Sequence, residues 1–78
     1  MTRATALRRA RACDRRATIA LFAALRARDT GRAFGPARAV GTAGSLRALY
    51  LAQARNHLAT VRTLARCAAR YRTIGVLS

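Results

Sequence analysis

Lysine, glutamate and tryptophan are missing from this 78-residue chain, and aspartate occurs only as Asp14 and Asp29. Set against sixteen arginines, those two carboxylates leave a formal net charge of +14. General acid–base chemistry draws on paired titratable groups. The single histidine, His57, has no carboxylate near it in the chain, so the sequence offers no catalytic site and reads as a non-enzyme. Zinc asks for four ligands; Cys13, Cys67 and His57 make three at unhelpful spacing, and no metal is expected. Two cysteines are also too few for a disulfide framework. Both read as small apolar positions that could meet across a hairpin. Gly31, Gly35, Gly41 and Gly44 match no nucleotide fingerprint, so no cofactor or small-molecule substrate is expected. The longest uncharged run, Ala17 to Leu25, holds nine residues, whereas a bilayer-spanning helix needs about 20.

Arginine and alanine are what the chain has in excess. Twenty residues are Ala, while Leu, Ile, Val and Phe together number 16 of 78. That share lies near the ~20% level below which highly charged chains tend to be disordered. A GC-rich genome explains Arg in place of Lys but not the missing acids, which makes acid depletion the functional signal. A surface of one sign repels itself and seeks a polyanion. The chain is therefore expected to have little core of its own and to be ordered by its assembly.

The expected fold is all-α: two helices, about 2–29 and 46–72, joined by a Gly/Pro loop over 30–44. The loop segment TGRAFGPARAVGTAG holds four of the five glycines and the only proline. Ser45 is the expected N-cap of the second helix, Gly75 its expected stop, and Arg70 and Arg72 are expected in its last turn. Residues 1–78 form one small helical unit: a basic arm (3–16), a docking helix (17–29), the linker (30–44) and an amphipathic basic helix (45–74). Arginines wrap most of the arm, which leaves it no face for a core. Packing in the first helix is expected from Ile19, Leu21, Phe22 and Leu25.

At 100° per residue, Leu46, Tyr50, His57, Val61, Leu64, Ala68 and Tyr71 share one arc of the second helix. They read as a protein interface, with Phe22 and Phe34 as further contacts, against the first helix or a neighbouring subunit. Arg55, Arg62, Arg66 and Arg70 fall on the opposite arc. With Arg72 and the arm residues Arg3, Arg8, Arg9, Arg11, Arg15 and Arg16 they are the candidate RNA-binding set. The planar guanidinium can hold phosphate oxygens bidentately or stack on unpaired bases.

By composition alone the chain resembles small ribosomal proteins, in which an arm and one or two helices are ordered by rRNA. That resemblance implies a structural component of a large ribonucleoprotein contacting rRNA backbone and neighbouring protein subunits. The alternative is a peripheral small subunit of a mitochondrial inner-membrane respiratory or ATP synthase complex, with Arg on anionic lipid. An arm basic on every side favours RNA, because a membrane-surface helix needs one apolar face. Residues 1–34 are Arg- and Ala-rich and poor in acids, like a mitochondrial transit peptide. The expected location is the mitochondrial matrix in a eukaryote and the cytoplasm otherwise. Arg15-Arg16 before the apolar run resembles a twin-arginine export signal, but Arg26-Ala27-Arg28-Asp29 follows where a cleavage site belongs.

The purified chain in dilute, low-salt buffer should show weak helicity by circular dichroism and no cooperative melt. A sharp transition from a highly helical state under those conditions would contradict this.

Overall fold

The computed structural model describes residues 1–35 and 40–77. The protein is all-α, 93% helical, with two helices and no strand among the described residues. Helix α1 (Arg3–Ala33) and helix α2 (Gly41–Leu77) pack side by side, end to end. They run antiparallel, because Gly31 near the end of α1 abuts Tyr50 and Gly75 near the end of α2 abuts Ala6 and Leu7. The product is a rod of 56 × 13 × 13 Å, and the 37 residues of α2 account for its length at about 1.5 Å per residue. Its radius of gyration of 17.2 Å far exceeds the ~11.5 Å of a compact chain of this size.

The helices meet through a seam of small residues. On α1 the inward positions are Ala6, Ala10, Cys13, Ala17, Ala20, Ala24, Ala27 and Gly31, which alternate in steps of four and three. All are buried apart from Cys13 and Ala17, which are half-buried. On α2 the same stepping passes through Tyr50, Ala54, His57, Val61, Leu64, Ala68, Tyr71 and Gly75. A repeat of 3.5 residues keeps both stripes facing each other along a gently supercoiled pair. The two end contacts, Gly31 with Tyr50 and Ala6 with Gly75, set a single register for the whole seam. In that register Ala24 lies at the level of His57, Ala20 of Val61, Ala17 of Leu64 and Ala10 of Tyr71. Large side chains on α2 thus lie over small ones on α1. Two Cα cylinders of about 2.3 Å radius within the 13 Å width leave about 8 Å between axes, the tight end of helix packing.

This seam explains where the helices exceed their expected bounds. Gly31 does not break α1. It is buried, and a Cβ there would come within 3.1 Å of the Tyr50 Cβ, so its smallness serves packing. The helix ends instead at Phe34 and Gly35, whose N–H groups bond to Gly31 and Arg32 carbonyls at 3.2 Å each. Gly35 has φ 121°, a conformation open mainly to glycine. Helix α2 begins at Gly41, so Ser45 is interior and not the N-cap. Gly75 is not the stop; packed on Leu7 and Ala6, it carries α2 on to Leu77, and Arg70 and Arg72 lie short of the last turn. The expected 30–44 linker shrinks to residues 34–40, of which 36–39 lie outside the described residues. At the other end Thr2 caps α1, its Oγ1 accepting from the Thr5 N–H at 3.1 Å.

The arm also differs from expectation. Residues 3–16 are the first half of α1, with Ala6 and Ala10 only 0% and 1% exposed. The expectation failed because it sought large apolar residues, and this face is made of small ones. Ile19 and Phe22, by contrast, stand 69% and 59% exposed; α1 docks through Ala20, Ala24 and Ala27, and Phe22 has no part in the seam. Phe34 closes the hairpin itself, stacked on Tyr50 with centroids 5.7 Å apart and rings at 12°. Among the described residues no large side chain is fully buried. The 5708 Å² of accessible surface exceeds the ~4,600 Å² of a compact protein of 8.4 kDa.

Ala24→Leu should overpack the seam and lower stability by about 1–3 kcal/mol, read as a lower melting temperature by circular dichroism in sulfate buffer. Gly75→Ala should gain up to about 1 kcal/mol from helix propensity, because its new Cβ meets only the mobile end of Leu7, 3.2 Å away. Gly31→Ala should show no such gain, since Tyr50 Cβ and the Arg47 carbonyl, at 3.1 and 3.3 Å, cannot swing aside. Equal gains at both glycines would refute the seam as described.

Candidate nucleic-acid interface

The seam decides where each arginine goes. On α1 the outward face carries Arg8, Arg11 and Arg15, while Arg9 and Arg16 border the seam on one flank; all five are exposed. On α2, Arg55, Arg62, Arg66 and Arg70 all lie exposed, away from the seam, whereas Leu46, Tyr50, His57, Val61, Leu64 and Tyr71 are half-buried and Ala68 is buried. The periodicity on α2 thus sorts its two faces as the wheel had them. Arg9 stacks its guanidinium over Tyr71, 5.9 Å from the ring centre, and Arg66 Nε donates back to the Arg62 carbonyl at 3.4 Å.

Antiparallel pairing gathers charges that are far apart in the chain. Residues 3–16 of α1 lie beside the last turns of α2. Arg3, Arg8, Arg9, Arg11, Arg15 and Arg16 therefore share one half of the rod with Arg62, Arg66, Arg70 and Arg72. Only Arg55 of the expected set falls in the other half, towards the turn. Asp14 is the one carboxylate in the terminal half, and it accepts a hydrogen bond from Arg72 Nη2. Arg72 is thereby partly engaged within the chain. Ten arginines against Asp14 leave nine net charges along about 25 Å of helix, about one per 3 Å. The duplex phosphate density is about one per 1.7 Å, so this end approaches the linear charge of the polymer it would face.

Between the ends the rod is nearly neutral. Residues 17–25 carry no charge and lie beside 56–64, where Arg62 is the single charge. Ile19, Leu21, Phe22, Leu25 and Leu58 are all solvent-exposed at this waist. Along the flank that bears Arg9 and Arg16, a recess of about 430 Å³ is lined by Arg16, Ile19, Ala20, Ala23, His57, Thr60 and Leu64. It continues into one of about 210 Å³ that adds Arg26, Ala27, Thr30, Tyr50 and Gln53. Arg26, Gln53 and Thr60 were invisible as site residues in the sequence. The small-residue stepping of α1 was the signal that would have placed them, because it sets the register of the flanks. Arg47 was missed too: it is half-buried near the turn, with Nε shielded and unpaired.

The hydroxyls of Thr18, Thr60, Thr63 and Thr73 each bond to a helix carbonyl four residues back at 3.0–3.2 Å, which occupies them in the backbone ladder. Cys13 and Cys67 are free, half-buried thiols. Among the described residues no three of His, Cys, Asp or Glu gather to hold a metal, and no helix is long and apolar enough to cross a membrane. Comparison with protein-family models, curated proteins and solved structures finds no match.

The Asp14–Arg72 pair is solvent-exposed on both sides, where such pairs are worth about 0–1 kcal/mol. Asp14→Asn should therefore change hairpin stability by less than about 1 kcal/mol in a thermal melt. A loss of more than about 2 kcal/mol would make the pair a structural clasp.

Proposed function

We propose that this protein is a structural RNA-binding component of a ribonucleoprotein, its terminal half lodged against the phosphate backbone of structured RNA. The observation that carries this reading is the ten-arginine half-rod, basic on the outer faces of both helices and on one flank. A planar surface neutralises one face of such a rod. Folded RNA presents phosphate on several sides at once, and arginine holds it bidentately. The same geometry disfavours a peripheral membrane-complex subunit seated on anionic lipid, because a membrane would leave one basic face in water. A small ribosomal protein is the specific assembly member this suggests, in the mitochondrial matrix of a eukaryote or in the cytoplasm otherwise. Binding would also relieve the hairpin's self-repulsion: the +14 charge over 56 Å sets like charges within one Debye length of about 8–10 Å.

Titration of the full chain with a structured RNA across several salt concentrations should give affinity falling steeply with salt. The six arginines of residues 3–16 should contribute a log–log slope of roughly −4, and more on duplex. Arg8→Ala should reduce the slope by nearly one unit and weaken unrelated RNA sequences about equally. Arg→Lys at the same positions should keep the slope but lose affinity through the missing bidentate contacts. Tighter binding to cardiolipin vesicles than to RNA of equal charge would reverse the assignment in favour of the membrane alternative.

A further inference from the structure

The recess along the waist is not explained by phosphate binding. Its walls are Ile19, Ala20, Ala23 and Leu64, with His57 shared by its two parts. Among the described residues, the only charged side chains lining it are Arg16 at one end and Arg26 at the other. The trough exists because Ala23 flanks the small seam of α1, so the larger α2 side chains have no counterpart beside them. An apolar floor between two cations suits a ligand that is itself apolar between two anions.

We propose that this groove takes an amphipathic α-helix of a partner protein, converting the hairpin into a three-helix bundle. Its apolar stripe would lie on Ile19, Ala23 and Leu64, with one carboxylate on Arg16 and another on Arg26. Those arginines are ten residues apart on α1, about 15 Å. The matching carboxylates therefore stand ten or eleven residues apart on the partner helix, three turns along one face. A second copy of this chain is a poor occupant, because it brings +14, and its Asp14 and Asp29 already contact Arg72 and Arg28. RNA would satisfy the two arginines but leave the apolar walls uncovered. The inference does not rest on the RNA proposal: Arg16 and Leu64 fall within the ten-arginine half and Ile19 at its edge, but Ala23, Arg26, His57 and Thr60 lie outside it.

The test uses the full chain and two fluorescein-labelled helical peptides. Both carry a leucine stripe, one flanked by Glu at i and i+11 and the other by Gln at the same places. Fluorescence anisotropy at moderate salt should show the Glu peptide binding at least tenfold more tightly, with a gain of peptide helicity. The double variant Arg16→Glu/Arg26→Glu should lose at least tenfold for that peptide and bind its Glu→Arg counterpart in its place. Arg28→Glu/Arg32→Glu changes net charge equally outside the groove and should cost less than threefold. Ile19→Asp should weaken the peptide without disturbing the hairpin, since this side chain is 69% exposed. Equal losses in the two double variants, no measurable peptide binding, or RNA binding that is itself weakened by Ile19→Asp would each overturn the proposal.

Discussion

The close approach of two helices through alanine and glycine is the constraint from which the rest of this structure follows. Small residues at every inward step of α1 bring the axes to about 8 Å, and only small side chains can occupy that gap. The larger residues of the α2 stripe lie over the small ones of α1 and stay half-buried, and among the described residues no large side chain is enclosed. The same constraint turns Gly31 and Gly75 from expected helix breakers into packing residues. It lengthens both helices and draws the loop in.

A seam of this kind is precise but weak. An alanine buries little apolar area, so each layer contributes little hydrophobic stabilisation. Against it stands the mutual repulsion of sixteen arginines with two carboxylates. Any ligand that neutralised the terminal half would also remove the main force opposing the fold, and so stabilise the hairpin. The waist, where Arg62 is the single charge, separates the arginine-rich terminal half of the rod from the half that holds the turn.

Much of this was legible along the chain. The two-helix, all-α character followed from the apolar stripe of residues 46–71 and from the glycines and proline between the halves. The separation of Arg55, Arg62, Arg66 and Arg70 from that stripe was legible too, because a 3.6-residue period sorts faces without knowledge of the partner. Helix α1 was read less well. Its inward face is Ala, Cys and Gly, and alanine carries almost no contrast on a hydrophobicity scale. Ile19 and Phe22 stood out in the sequence, yet they lie outside the seam and are exposed.

Composition and periodicity by themselves determined that the chain is helical, overwhelmingly cationic and poor in core-forming residues. These properties reside in single residues and their local spacing. Only the tertiary structure decided that residues 3–16 pack rather than hang free. It also decided that ten arginines from both ends of the chain share one half of the rod, and that Arg16 and Arg26 bracket one apolar groove. Each of these depends on the register between helices. Contacts at the two ends set that register, Gly31 on Tyr50 and Gly75 on Ala6, each joining residues remote in sequence.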